Sequence, residues 1–459
     1  MMNNPMTKIK STKVESIIDE IIDQYAYSDT SKTPWIIGFS GGKDSTVLLT
    51  LVWIAIRRFR EQTDHPFQSG RPVYVVNNDT LVENPIISSY VDEVLDKIEK
   101  EAREQNLPIY VRKTTPRLEE SFWVNILGKG YPVPNNKFRW CTDKMKIKPT
   151  SAFLSEQLDE MGEAIILLGT RYEESQSRER SMKKHEMYQS RLSRHASERN
   201  AFVYSPLKNL MLEEVWYIIN AVPSPWGADN SLLFKIYADA SADDYECPTV
   251  VTNESHKSCG KSRFGCWTCT VVKKDKSMSG LIENGQEWLR PLLNFRNKLI
   301  DNRNISDNRM DKRRNGTAAI DSDGHKKGTY AFKYRADTLK ELLELQKEIQ
   351  IEKSYLTLIT NQELIAIQVN WNRDMYFERN VGNIYREVFE TDLSTNNMHN
   401  TLDATEKRLL NDICKEELEY IPLINNLLSI QETKSLMLSK YGLHNDVERR
   451  IEHFVEEGK

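Results

Sequence analysis

The chain has 459 residues, a net charge of −4, 28% charged and 39% hydrophobic residues; this is an ordinary soluble composition without a whole-molecule basic footprint for nucleic acid. Six cysteines in a chain this long exclude a disulfide scaffold, and the longest apolar run, Val47 to Ile56, is interrupted by Thr50 and too short to cross a bilayer. The polar start from Met1 to Asp29 does not read as a signal peptide, so the expected compartment is the cytoplasm, with no membrane partner.

Lys8 to Tyr25 has the apolar spacing of an amphipathic packing helix, with Val14, Ile17, Ile18, Ile21 and Ile22 on one side. A short apolar strand, Trp35 to Phe39, then runs into Ser40-Gly41-Gly42-Lys43-Asp44-Ser45, and a mostly apolar helix follows from Thr46 to Arg58. A strand, a glycine turn and a helix N-terminus form an anion site, because free amide N–H groups and the helix dipole point at the same place. Side chains at Gly41 and Gly42 would hold an anion away from the backbone, while Lys43 adds charge and Ser40 and Ser45 add hydroxyls. The pattern is neither G-x-x-x-x-G-K-[ST] nor the dinucleotide G-x-G-x-x-G.

Ser40 to Ser45 at the end of a first strand resembles the PP-loop of the ATP pyrophosphatases, which holds the pyrophosphate end of ATP during adenylation. The resemblance implies an α/β fold built on a parallel sheet (adenine nucleotide α-hydrolase-like), with ATP and Mg2+ held by Ser40, Gly41, Gly42, Lys43, Asp44 and Ser45.

The remaining elements are read in that light. Arg71 to Asn77 is a second strand and Ile86 to Glu101 a helix. Between them Asp79 either holds magnesium or a ribose hydroxyl, or caps the helix; the segment resembles its counterpart in phosphoadenylylsulfate reductases, with Leu81 where a glycine is usual. Pro108 to Arg112 is a third strand. The basic, aromatic stretch Pro132 to Pro149 resembles the RWC…K…P motif of the sulfotransfer branch, through Arg139, Trp140, Cys141, Lys144 and Pro149. Its basic residues either surround phosphates or form a solvated run, and Cys141 is either a persulfide carrier or a packed thiol. Ala164 to Gly169 is a fourth strand. With Arg171, Glu174, Ser175 and Arg178 it resembles the third family signature, which places Gly169 and Arg171 at the nucleotide, Arg171 as a bidentate phosphate clamp. Arg171 to Arg199 holds eight Lys or Arg against five acidic residues, either a polyanion surface or a helix exterior. Val203 to Leu207 is a fifth strand and Leu212 to Ile219 a helix start, with Trp216 as a core anchor.

Cys247, Cys259, Cys266 and Cys269 follow at C-x11-C-x6-C-x2-C spacing, which binds zinc or an iron–sulfur cluster. Together with the loop motifs this resembles the C-component family of bacterial DNA phosphorothioation (Dnd) systems over Lys8 to Cys269. That resemblance implies a [4Fe-4S] cluster, DNA as substrate, a cysteine desulfurase as sulfur donor, other phosphorothioation subunits as partners, and Lys43, Asp44, Arg171 and Cys141 as catalytic residues. Rival readings are a reductase or sulfurtransferase acting on adenylylsulfate or tRNA, and a non-catalytic, zinc-clipped ATP-binding subunit. Arg290 to Arg335 carries twelve Lys or Arg against five Asp and is irregular, with Asn302 to Asp311 and Arg313 to Gly324 reading as mobile loop, either a phosphate surface or a linker. Beyond it Tyr334 to Ile351 is helical, Met375 to Val388 amphipathic, Cys414 core, and Asn445 to Lys459 a closing helix. The expected division is a PP-loop domain at 1–235, a four-cysteine segment at 236–290, a basic flexible segment at 291–330 and a mostly helical domain at 331–459.

Overall fold

The computed structural model describes residues 5–26, 33–62, 71–187, 190–239, 265–393, 410, 413–414, 420–435 and 443–457. The chain forms two compact units, one of 1–116 and 134–293, the other of 117–133 and 294–459.

The first unit is built on a six-stranded sheet: β1 Trp35–Gly38, β2 Val73–Asn78, β3 Ile109–Thr114, β4 Ala164–Leu167, β5 Leu192–Arg194 and β6 Ala201–Tyr204. Its order is β3-β2-β1-β4-β6-β5. The expectation of a parallel sheet is corrected at one edge: β5 runs antiparallel to β6, with Ser193 opposite Val203, and the sheet is mixed. Three residues, Leu-Ser-Arg, are too few to show a strand period, so this edge was not legible. The other neighbours are parallel.

Alternation along the strands sends side chains to opposite faces. Ile36, Val76, Ile166 and Leu168 meet Phe153, Leu154 and Leu158 of α4 (Lys148–Met161) on one of them. Trp35 instead packs edge-on against Tyr25 of α1 (Pro5–Ala26), at 5.1 Å between ring centroids. The loop after β1 leads into α2 (Lys43–Gln62), whose Val47, Leu48, Leu51, Val52 and Ile56 are buried. Strand order reverses at β1, which has β2 on one side and β4 on the other, so the loop stands at the topological switch point where open α/β sheets bind ligands.

After β2 the chain turns through Asp79 to Asn84 into α3 (Pro85–Glu104), where Asn84 caps the helix by accepting from the Ile86 N–H at 3.1 Å. Leu81 in this turn has φ 64°. That is the left-handed region, where a Cβ crowds the following carbonyl, and it accounts for the glycine usual at this place in the resembled reductases. Further along come α5 (Gln176–His185), α6 (Leu212–Ala221), α7 (Asn230–Asp239) and α8 (Lys276–Glu283).

The second unit is largely helical: α9 Arg290–Asn302, α10 Phe332–Glu352, α11 Asn361–Arg373, α12 Val381–Phe389, α13 Tyr420–Ser435 and α14 Leu443–Glu457. The stretch 117–133, which precedes the basic motif in sequence, belongs here. Trp123 Nε1 donates to the Leu358 carbonyl at 2.7 Å and Trp371 Nε1 to the Leu127 carbonyl at 2.8 Å. Arg335, 2% exposed, donates to the carbonyls of Gly128 and Tyr330; burial pulls its guanidinium down to about 10, with Asp374 opposing. Between α9 and α10 the chain forms bridged turns in which buried Arg309 donates to the Lys327 and Gly328 carbonyls. Arg296, Arg309 and Arg335 are therefore spent inside the unit, which removes three cations from the basic surface read over Arg290 to Arg335. The amphipathic run expected over Met375 to Val388 breaks at Met375, which has φ 58°, and resumes as α12 behind an Asn380 cap.

Replacing Leu81 by Gly removes the left-handed strain. The Leu81→Gly protein is expected to unfold at higher denaturant, with a gain of about 1 kcal/mol by urea titration.

Candidate functional site

The loop from Ser40 to Ser45 closes on itself through its hydroxyls. Ser45 Oγ donates to the Gly42 carbonyl at 3.0 Å and lies 3.2 Å from Ser40 Oγ, while the Gly42 N–H donates to Ser40 Oγ at 3.4 Å. Gly41 is required twice over: its φ is 73°, and a Cβ there would lie 2.4 Å from Val91 Cγ2. Gly169, at the end of β4, is required by the loop itself, since its Cβ would lie 2.7 Å from the Asp44 carbonyl oxygen. The expectation that Gly169 belongs with the loop thus has a steric cause: two backbones meet there without room for a methyl.

Charge is layered behind the loop. Lys43 is fully buried, and its Nζ lies 3.1 Å from Asp44 Oδ2. Asp44 Oδ1 accepts from Arg171 Nε at 2.7 Å. Arg171, 1% exposed, also donates to Glu173 at 2.9 Å and to the Leu210 carbonyl at 3.2 Å. Burial works against its charge, but Asp44, Glu174 and Glu173 outweigh burial and hold the guanidinium above its ordinary value. Glu174 accepts from the Arg171 backbone N–H at 2.7 Å and from Arg178 Nε at 3.2 Å; burial pushes its carboxyl up, against the pull of Arg178. Arg171, expected from sequence as a phosphate clamp, is engaged as the strut that positions Asp44. By contrast Arg139 donates through Nη2 to Asn136 at 3.1 Å, while its enclosed Nε and Nη1 have no partner among the described residues.

Tyr237 of α7 has no counterpart in the sequence reading. Its hydroxyl accepts from the Lys43 backbone N–H at 3.3 Å, and Lys43 Nζ stands 5.5 Å from the centre of its ring. Trp216 of α6, expected as a core anchor, is half-buried and packs edge-on against that ring at 5.2 Å, holding Tyr237 over the loop. Only an aromatic at helical spacing marked Tyr237 in the sequence.

The rim beside β2 carries the other motifs. Asp79 Oδ1 accepts from the Leu81 N–H at 2.8 Å and Oδ2 pairs with Lys113 at 3.0 Å; the cap of α3 is Asn84, not Asp79. Asn78 Nδ2 donates to the Met145 carbonyl at 3.1 Å, which ties the turn Thr142–Ile147, directly after half-buried Cys141, to the end of β2.

Cys266 and Cys269 arrive at the same rim. Cys266 is bridged to Glu83, the Trp267 N–H donates to the Val82 carbonyl at 3.0 Å, and Thr270 Oγ1 donates to the Pro134 carbonyl at 2.7 Å. A turn joins the cysteines, with the Cys269 N–H donating to the Cys266 carbonyl at 2.9 Å. Cys266 Sγ lies 3.3 Å from Thr80 Oγ1 and 3.9 Å from Glu83 Oε1. Burial first, and Glu83 second, push its thiol well above the ordinary range; a bound cation reverses that balance and makes it a thiolate. Two thiols on one C-x2-C turn are of the donor type that thiolate metal sites use. Cys247 and Cys259 lie outside the described residues. Elsewhere Asp321, Asp323 and His325 bring ligand atoms within 4.8 Å of one another, but Asp321 already accepts from the Asp323 and His325 N–H groups and pairs with Lys327. No helix among the described residues is long and apolar enough to cross a membrane.

Residues 34–272, more than half of the chain, match the family of the phosphoadenosine phosphosulfate reductase domain. An uncharacterized protein of Methanocaldococcus jannaschii is 30% identical over 148 residues, which is 32% of this chain and 25% of that protein; the chain thus covers about a quarter of that relative's length. Among solved structures, an FMN adenylyltransferase of Candida glabrata in complex with FMN and an ATP analogue is 12% identical, covering 48% of this chain and 60% of that one, at a TM-score of 0.29. Yeast FAD synthetase in complex with FAD has the same identity and score, covering 48% and 61%. A likeness this loose carries no argument about the site.

Asp44→Ala leaves Arg171 buried without its main counter-charge and is expected to cost about 3–5 kcal/mol of stability. Glu173→Ala removes a half-exposed partner and is expected to cost about 1 kcal/mol. Paired denaturation curves check the order of the two.

Proposed function

The chain belongs to the phosphoadenosine phosphosulfate reductase domain family, and from that premise we propose that it transfers sulfur to the DNA backbone at the expense of ATP. Family membership supports an ATP-using catalytic activity of the ATPase or transferase kind. The observation that carries the finer reading is that a glycine loop follows β1 while a C-x2-C turn docks on the segment that follows the neighbouring strand β2.

In this reading the β- and γ-phosphates of ATP, with Mg2+, lie on the loop, where the Lys43 charge and the α2 N-terminus face the charge that builds on pyrophosphate. An anion reaching the Lys43 N–H takes the place of the Tyr237 hydroxyl. Asp44 keeps Lys43 aimed, and Arg171 keeps Asp44 aimed. A non-bridging oxygen of a DNA phosphate attacks the α-phosphorus, the bond to the β-phosphate oxygen breaks, and pyrophosphate leaves with its electron pair. The acceptor phosphate now carries AMP, a leaving group its own oxygen could not be. A sulfur nucleophile at the oxidation level of sulfide, supplied by a cysteine desulfurase and a reductant, forms the phosphorus–sulfur bond as AMP departs. Arg139, with two donors to give, serves a phosphate in this scheme, and Cys141 lies in the same motif. Cys266 and Cys269, with Cys247 and Cys259, would hold a [4Fe-4S] cluster, or zinc as a structural clip; when bound, that group fixes the thiolates and, if iron, adds electron transfer. Sequence choice on DNA falls to partner subunits, since the chain shows no compact base-reading motif. The small-molecule reading keeps a claim through the name of the family, so the acceptor is what the experiment must decide.

Lys43→Ala is expected to lower pyrophosphate release from ATP about 100-fold or more with the fold retained by circular dichroism, because Asp44 keeps Arg171 as a partner. Unchanged release would remove the loop from the reaction. Reconstitution with partner subunits, ATP and a sulfur donor, followed by DNA digestion and mass spectrometry, is expected to yield sulfur-containing dinucleotides, and anaerobically purified protein to contain iron. Sulfur found only in tRNA or a small nucleotide would favour the rival substrates, and stoichiometric zinc without iron would overturn the cluster.

A further inference from the structure

The opposite side of the loop holds a cavity that the scheme above does not use. It is an open hollow over the ends of β4 and β6, enclosed by α5 and β5. Its apolar surface comes from Leu168, Met182 and Val203, and its cations are Arg178, Arg191, Arg194 and Lys208. Among its described lining residues Glu186 is the one acid.

The cations are not equally committed. Arg178 pairs with Glu174 at 3.2 Å, Lys208 with Glu186 at 2.9 Å, and Arg191 with Asp23 at 3.3 Å. Arg194, exposed on the antiparallel edge strand, has no ion pair among the described residues. His195 beside it accepts the Glu198 N–H at Nδ1, 3.2 Å away, and burial pulls its ring below the ordinary value. A neutral ring that accepts at Nδ1 carries its proton on Nε2 and is a donor there.

The cavity also adjoins the loop through named atoms. Gly169 meets the Asp44 backbone, and the next residue, Thr170, lines the cavity and shares a hydrogen bond of 3.1 Å with Ser205. Glu174 joins Arg171, which holds Asp44, to Arg178, which lines the cavity. An occupant here is therefore a neighbour of whatever the loop binds.

We propose that this cavity seats one nucleotide unit of a nucleic-acid strand, its base or sugar on the Leu168–Met182–Val203 surface and its phosphate on Arg194. The inference rests on the reading above, in which ATP occupies the loop and a nucleic-acid phosphate is the acceptor. An inorganic anion has no use for the apolar surface. Lys183 is paired with Glu179 at 2.6 Å, but Arg180, Lys184 and Arg199 are exposed on the same α5-to-β6 stretch and extend positive charge beyond the cavity, where the flanking phosphates of a strand would run. In a chain of net charge −4, that is segregated charge.

The test uses the full chain, a fluorescent single-stranded oligodeoxynucleotide and anisotropy titration at several salt concentrations. Arg194→Ala is expected to weaken binding about tenfold and to lower the slope of log K against log salt by about 0.7. Arg194→Glu is expected to weaken it further and Arg194→Lys to restore most of it. Lys100→Ala, an exposed charge on α3, is expected to leave affinity within about twofold, as for an uninvolved surface position. Wild-type affinity in Arg194→Glu, an equal loss in Lys100→Ala, or no saturable strand binding by the wild type at low salt would each overturn the proposal. So would an equal loss of AMP or inorganic phosphate binding in Arg194→Glu, which would make the cavity a site for a free nucleotide or anion. Strand binding that depends on Arg194, with no sulfur entering DNA, would retire the sulfur chemistry and keep the cavity. Sulfur transfer to DNA that Arg194→Glu leaves unaltered would do the reverse.

Discussion

The Asp44 carboxylate ties the end of β1 to the end of β4. One oxygen faces Lys43 and the other accepts from Arg171 at 2.7 Å, and behind them Gly169 lets the two backbones approach more closely than a Cβ permits. A buried guanidinium is tolerated only when it is paired and hydrogen-bonded, and Arg171 meets that condition with Asp44, Glu173 and the Leu210 carbonyl. The loop geometry therefore depends on a chain of opposite charges from Lys43 to Arg178, and losing an inner member strands a charge out of water.

That arrangement separates two kinds of basic residue. Arg171, Arg309 and Arg335 are buried and serve carboxylates or carbonyls of the protein, and buried Arg296 donates to the Asn297 side chain. Arg139 and Arg194 keep donors uncommitted. Counting Lys and Arg along a stretch does not distinguish the two kinds: of the twelve in Arg290 to Arg335, read as either a phosphate surface or a linker, three are buried inside the unit. Within the resembled motifs, Arg171 is paired with Asp44 and Glu173, whereas Arg139 has enclosed nitrogens without a partner among the described residues.

Much of the first unit was legible because its signals are local. Trp35 to Ser45 reads as strand, turn and helix by composition alone, and Gly41 there is required by its positive φ and by Val91. The strand that closes the edge, Leu192 to Arg194, was not legible, because three residues cannot display a period and a neighbour across the sheet decides the pairing. Leu81 shows the other limit: its departure from the usual glycine is visible in the sequence, but the left-handed backbone that explains the glycine is not.

The sequence by itself determined the strand–turn–helix form of the loop, the parallel core of the sheet, the helical character of the last third, and the presence of a C-x2-C pair. These follow from contiguous residues, whose spacing sets local conformation before any long-range contact forms. Only the tertiary structure decided that Cys266 lies against Thr80 and Glu83, that Tyr237 covers the Lys43 amide, that residues 117–133 join the second unit, and that Arg171 serves Asp44. Those partners lie tens to hundreds of residues apart, and what selects them is burial, the need to satisfy each enclosed charge and donor, and no local pattern records that.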